Sequence, residues 1–157
     1  MSRGPDELAR GCRQAQRIGA MLVLALLTYA LVVEMIRTQR APFTGFAPAV
    51  PLGLLRLLLA AMAVLGLVVV NIVRSKIIAG RVTGASPVVG RPPLVQRLLT
   101  ASLVTLATCQ AIAIYGLVLF LLGGQRADFY GFAAFALLGF ALYFPRRSQW
   151  EAWARQA

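Results

Sequence analysis

Four long apolar runs, separated by short polar segments, dominate the pattern along the chain. They extend over 18–36, 57–73, 98–122 and 129–145. A helix needs about 20 mostly apolar residues, with about 17–25 usual, to cross the hydrocarbon core of a bilayer. All four runs meet this length, the fourth at its short end. The pattern predicts an all-α integral membrane protein with four transmembrane helices in an antiparallel bundle, forming a single domain over 1–157.

The segments between the runs carry residues that interrupt helices. APFTGFAPAVP follows the first run and GRVTGASPVVGRPP follows the second, and both are rich in proline and glycine. Proline removes a backbone donor, and glycine loses more conformational freedom than any other residue when a helix forms. After the third run, Gly123 and Gly124 precede the short segment QRAD, which predicts a tight turn between neighbouring third and fourth helices.

The C-terminal tail reads SQWEAWARQA. Ser148 and Glu151 have the spacing of a capping box, which predicts a short helix over 148–156. Tryptophan favours the headgroup layer of a membrane, and arginine can reach lipid phosphates. This helix is therefore predicted to lie in the interface. The predicted interfacial anchors are Trp150, Trp153, Arg146 and Arg147.

Composition agrees with a membrane protein. Hydrophobic residues make up 59% of the 157 residues and charged residues 13%, whereas soluble domains average about 45–50% and about 25%. The first run could instead be a signal peptide with a weak cleavage site at Thr28-Tyr29-Ala30. The apolar run continues beyond Ala30, however, and a long charged segment precedes it, so an uncleaved span is the favoured interpretation.

The net charge of +11 would suggest nucleic-acid binding in a soluble protein. Here the basic residues flank the apolar runs. The N-terminal segment, the second loop and the tail carry twelve Lys and Arg, and the other two loops carry four. The positive-inside rule then predicts that both termini lie in the cytoplasm, with the protein in the inner or plasma membrane. The lipid bilayer is the expected partner, and no nucleic acid is expected.

Several classes of chemistry lack their residues. The chain has no histidine, five acidic residues and two cysteines. The cysteines, Cys12 in a polar segment and Cys109 deep in an apolar run, are not expected to form a disulfide or a metal site. We therefore expect no enzyme activity, no catalytic residue, no cofactor, no metal and no small-molecule substrate.

Two polar residues inside the apolar runs form a candidate intramembrane polar site. Glu34 lies near the end of the first run, and Arg37 three residues later predicts an ion pair that reaches the headgroups. Gln110 lies at the centre of the third run, far from water on both sides. Because an unsatisfied amide is costly in hydrocarbon, Gln110 is expected to form a hydrogen bond with another helix.

The third run resembles the second helix of the ATP synthase c subunit, the proteolipid family. In that family an ion-binding carboxylate precedes a stretch that commonly ends in IYGLV. Here Ile114-Tyr115-Gly116-Leu117-Val118 stands at the same offset after Gln110. The resemblance implies an ion-translocating or ion-binding subunit in a larger complex. Gln110 stands where the family has its carboxylate, however, and an amide does not exchange protons.

The ending DFYGF…LYFPRRSQWEAW resembles that of uncharacterised bacterial four-span membrane proteins, which implies no function. Small residues that permit close helix approach favour a non-catalytic structural or complex-associated component, packed as a homo-oligomer or in a larger membrane complex. The proteolipid-like subunit is the alternative. The small residues are Ala60, Ala61, Ala63, Gly66, Gly131, Ala134 and Gly139.

Overall fold

The computed structural model describes residues 3–40, 42–47, 51–78, 93–145 and 148. Within these ranges it contains four helices and no strand, so the prediction of an all-α protein is confirmed. The predicted tail helix over 148–156 and its four anchors fall outside the described residues, apart from Ser148. The helices are α1 (Arg3–Gln39), α2 (Leu52–Ile78), α3 (Pro93–Gly123) and α4 (Arg126–Tyr143).

The first three helices extend beyond the apolar runs that predicted them. α1 begins fifteen residues before its run, and α3 begins at Pro93. Proline suits the first position of a helix because its missing N–H would be unpaired there anyway. α4 instead ends two residues before the predicted 145, because Phe144 precedes Pro145 and has extended backbone, with ψ 130. A residue that precedes proline disfavours the helical conformation.

Three of the four helices are long and apolar enough to cross a membrane. These are the stretches Leu8–Gln39, Leu52–Ile77 and Val95–Gly123. α4 is not among them: it has 18 residues, begins at Arg126 and carries Asp128 in its first turn. At 1.5 Å per residue it is roughly 27 Å long, close to the thickness of the hydrocarbon core. A multi-pass membrane protein is compatible with these lengths.

α3 is the central helix. Half of its most apolar segment is buried inside the molecule, against 17% for α1 and 11% for α2. Its buried residues form one apolar core with residues from each of the other three helices. That core contains Leu26, Val33, Ala63, Leu106, Cys109, Ile112, Ala113, Phe120, Phe129, Ala133, Ala136 and Phe140.

Glycines allow α3 and α4 to pack closely. A Cβ added at Gly116 of α3 would lie 2.7 Å from the Cβ of Phe132, and one added at Gly139 of α4 would lie 2.7 Å from the Sγ of Cys109. Both distances are shorter than real Cβ contacts, so these two positions require glycine. Gly116, late in α3, therefore meets Phe132, early in α4, and Cys109, earlier in α3, meets Gly139, late in α4.

A second, smaller apolar cluster joins the N-terminal part of α1 to the first two turns of α3. Cys12 and Ala15 of α1 are buried there against Val95, Leu98 and Leu99 of α3. This contact supplies a reason for the helical conformation of the polar N-terminal segment, because it buries one face of the segment that precedes the first apolar run.

The first-loop segment 42–47 caps the end of α3. The N–H of Phe46 donates to the carbonyl oxygen of Leu121 at 2.8 Å, and the N–H of Ala47 donates to that of Leu122 at 3.2 Å. The last four carbonyls of a helix lack partners within it, so these bonds satisfy two of them. Gly45 and Gly124 have φ of 87° and 71°, and their backbones pass too close to their neighbours for any side chain.

Candidate functional site

Gln110 is buried, with 8% of its surface exposed. It follows Leu106 by four residues, so both lie on the same face of α3. Gly19 of α1 faces Leu106, and a Cβ added there would lie 3.5 Å from its Cδ1. The Gln110 side chain is therefore held on the side of α3 that meets α1.

Neither polar atom of the Gln110 amide forms a hydrogen bond with any residue that the structure describes. The expected bond to another helix is thus not observed. Leaving a buried amide unpaired costs about 1–3 kcal/mol. The hydroxyls of Thr105 and Thr108 bond back to the carbonyl oxygens of Ala101 at 2.7 Å and Val104 at 3.0 Å, so they serve their own helix.

Glu34 has two partners. Arg37 Nε donates to Glu34 Oε2 at 3.0 Å, so the ion pair predicted from the spacing is confirmed. The hydroxyl of Tyr130, in the first turns of α4, donates to Glu34 Oε1 at 2.7 Å. No pattern in the sequence predicts this second bond, because it depends on which face of α4 meets α1. Glu34 therefore links two helices at its end of the molecule.

The structure does not bring Gln110 and Glu34 together. Both α1 and α3 advance in the same direction from their shared N-terminal cluster past the contact of Gly19 with Leu106. Glu34 lies fifteen residues beyond that contact and Gln110 only four, so the two are separated along the helices by roughly 16 Å at 1.5 Å per residue. The two candidate residues are separate features.

A further ion pair connects two helices at the same end of the molecule as Glu34. Arg56, in the first turns of α2, approaches Asp128 of α4 through Nε at 2.7 Å from Oδ1. A second nitrogen of the same guanidinium donates to Asp128 Oδ2 at 2.7 Å and to Gln125 Oε1 at 2.9 Å. The guanidinium thus contacts both carboxylate oxygens: the second nitrogen makes the hydrogen bond, and Nε makes an ion pair without one. Asp128 is nearly buried, with 9% of its side chain exposed, and Arg56 is 43% exposed.

The opposite end of the molecule has its own contacts between helices. Gln16 Nε2 of α1 donates to the carbonyl oxygen of Pro145 at 3.0 Å, just past the end of α4. The guanidinium of Arg74 in α2 lies 5.3 Å from the ring centre of Tyr143 in α4. The polar side chains described here thus connect helices near both ends, while Gln110 lies between them.

A groove of about 330 Å³ runs between α2 and α4 near the Arg56–Asp128 pair. Small residues form much of it, and a Cβ added at Gly131 would meet nothing within 4 Å. Other small residues predicted to permit close approach act inside the molecule, because Gly139 faces Cys109 and Gly66 faces Thr108. The groove is lined by Ala60, Ala63, Val64, Ala127, Asp128, Gly131, Phe132 and Phe135.

Among the described residues, no three metal-ligating side chains converge. Comparison of the chain with family models, curated proteins and solved structures finds no match. The geometry therefore defines the class only broadly: a helical protein with three helices long and apolar enough to span a membrane.

Proposed function

We propose that this protein is a multi-pass membrane protein with a structural, non-catalytic role in a larger assembly. In this proposal α4 makes the fourth crossing and the four helices form an antiparallel bundle. The pairing of later α3 residues with earlier α4 residues supports this arrangement. The distribution of Lys and Arg supports cytoplasmic termini in the inner or plasma membrane.

The polar contacts between helices carry the proposal. Arg56 with Asp128 joins α2 to α4, Tyr130 with Glu34 joins α4 to α1, and Gln16 joins α1 to the end of α4. All of these contacts fix helices in place, and they lie toward the ends of the spans. Interactions of this kind stabilise helix association in membranes.

The groove between α2 and α4 supports association with other chains. Its walls include Ala60 and Gly131, which offer little obstruction to the backbone of an approaching helix. Small residues at such surfaces favour close packing of transmembrane helices. A second copy or a helix of a different membrane protein would fit this surface.

The alternative is an ion-binding, proteolipid-like subunit. Its support is the buried Gln110 amide, whose oxygen is free of hydrogen bonds to the described residues. Against it, the carboxylate of Glu34 lies roughly 16 Å away along the helices. One amide oxygen gives a hard cation too few ligands, since sodium-like and calcium-like ions prefer several oxygens.

Two measurements on the purified protein test the proposal. The protein mass of the particle in mild detergent, with bound detergent subtracted, should exceed the 16.9 kDa of one chain, through copies or partners. Reconstituted vesicles should pass protons and sodium no faster than empty vesicles. A monomer with no associated protein would contradict the structural role, and flux that Gln110→Leu abolishes would establish the ion-binding alternative.

A further inference from the structure

The N-terminal part of α1 carries three arginines on one side of the helix. Arg10, Arg13 and Arg17 are separated by three and four residues, so their side chains form one stripe along the axis. All three are exposed, and none forms a hydrogen bond or ion pair with a residue whose side chain the structure describes. We call these three residues the arginine ridge.

The opposite side of α1 fixes the direction of the ridge. Cys12 and Ala15 are 3% and 0% exposed because they pack against the start of α3. At about 100° per residue they lie on the far side of the helix from the arginines. The ridge therefore points away from α3 and cannot turn inward without breaking this cluster.

Contacts at the end of α4 place the ridge at the edge of the hydrocarbon region. Gln16 meets the carbonyl oxygen of Pro145, and Phe144 lies against Gly19. Arg17 therefore stands level with the end of α4, where the apolar sequence of that helix stops. Seventeen residues separate Arg17 from Glu34, roughly 26 Å of helix, which matches a hydrocarbon core of about 30 Å between two snorkelling charges.

From that level the ridge extends outward. Arg13 lies roughly 6 Å and Arg10 roughly 10 Å beyond Arg17 at 1.5 Å per residue. The headgroup layer on each side of a bilayer is about 5–7 Å thick. Arg17 and Arg13 therefore lie at headgroup depth, and the long side chain of Arg10 can bend back to it.

We propose that the arginine ridge binds the headgroups of anionic phospholipids. This inference rests on membrane insertion but is independent of the structural role proposed above. Charge complementarity favours phosphate, and guanidinium groups bind phosphate oxygens at two points. The depth of the ridge in the membrane favours lipid over a soluble polyanion. A soluble partner could reach Arg10 directly, but the headgroup layer would separate it from Arg17.

Native mass spectrometry of the whole chain in detergent, titrated with single lipids, tests the ridge. The first molecule of phosphatidylglycerol should bind more tightly than phosphatidylcholine. Each basic residue near an anionic surface accounts for about a fivefold change in affinity. Replacing Arg13 and Arg17 by Gln together should therefore weaken phosphatidylglycerol binding about 25-fold. Arg10→Gln alone should weaken it less than Arg17→Gln alone, because Arg10 is farther from the headgroups.

The matched control replaces two exposed arginines at the other end of the molecule, Arg40 and Arg126, by Gln. This variant has the same net charge and should keep phosphatidylglycerol binding within about twofold of the parent, since its changes lie far from the ridge. Circular dichroism should give equal helix content for both variants. Equal weakening in both, or no weakening in the ridge variant, would overturn the proposal.

Two further ligands separate lipid from other anions. Inorganic pyrophosphate at the same concentration should not displace phosphatidylglycerol, because it lacks the acyl chains that hold the headgroup at this depth. A polyglutamate peptide should likewise bind no better to the parent than to the ridge variant. Displacement by pyrophosphate, or peptide binding that depends on the ridge, would assign it to a soluble anion or an acidic partner and refute the lipid site.

Discussion

The hydroxyl of Tyr130 in α4 donates a 2.7 Å hydrogen bond to the carboxylate of Glu34 in α1, which also accepts from Arg37. Glu34 is the acidic residue of the first apolar run, and the tyrosine gives its carboxylate a partner on another helix. The position of this residue is therefore explained by packing between helices.

Removing the hydroxyl tests this relationship. Tyr130→Phe should weaken the attachment of α1 to α4 and lower stability only slightly, because the bond between the two groups is exposed. A double-mutant cycle with Glu34→Gln, followed by unfolding in mixed detergent, should give a nonzero coupling between the two positions. Strictly additive losses would mean that the bond does not contribute.

The ion pair at the start of α2 should contribute more. Asp128→Asn removes the charge that Arg56 contacts at two points, and Asp128 is nearly buried. We expect a loss of about 1 kcal/mol in the free energy of unfolding. Arg126→Gln, in the same turn of α4, is the control and should have almost no effect. Equal stability of the two variants would show that the pair is only incidental.

For Gln110 the structure reverses the effect on stability that the sequence led us to expect from its replacement. An amide bonded across helices would stabilise the protein, but the observed amide has no partner among the described residues. Gln110→Leu should therefore raise stability, by about 1 kcal/mol, since it replaces an unpaired polar group with an apolar one of similar size.

A paired amide supplies the control. Gln16 donates to the carbonyl oxygen of Pro145, so Gln16→Leu should lower stability in the same unfolding assay. The assay should be repeated with and without sodium. Destabilisation by Gln110→Leu would reveal a partner for the amide, and protection of the parent by sodium that the variant loses would favour the ion-binding alternative.

Two glycines of α4 should respond oppositely to alanine. At Gly139 the new methyl group would meet the sulfur of Cys109 at 2.7 Å, which predicts a loss of about 1–3 kcal/mol. At Gly131 it would meet nothing, and the higher helix propensity of alanine predicts no loss. Adding Cys109→Ala to the Gly139 variant should recover part of the stability. Thermal unfolding of all four proteins measures these effects, and equal behaviour of the two glycine variants would contradict the packing described here.

Orientation can be tested independently of stability. A reporter that is active only outside the cytoplasm should be silent when fused after Ala157 and active when inserted near Ala47. The twelve-to-four distribution of Lys and Arg gives this expectation. Activity at both positions would indicate an odd number of crossings, with α4 as the helix that does not cross.

The four helices could be predicted from the sequence because long apolar runs are a strong indication of membrane-spanning helices. Their ends were not, since α1 continues to Arg3 and Arg56 lies inside α2 instead of in a loop. Those extensions depend on tertiary contacts, such as the cluster around Cys12. The pair of Glu34 and Arg37 could be predicted because both lie on one helix. The partner of Glu34 on α4 and the lack of one for Gln110 depend on how separate helices meet.

The cap formed by the first-loop segment imposes an order on biosynthesis. Phe46 bonds to Leu121, which is made 75 residues later. At about 5–20 residues per second, roughly 4–15 seconds pass on the ribosome before that acceptor exists. Until then Phe46 and Ala47 lack their acceptors on α3. The positive φ of Gly45 is open to glycine without strain, so the segment can take its final conformation once those acceptors exist. The third helix therefore completes the fold of a segment that was translated long before it.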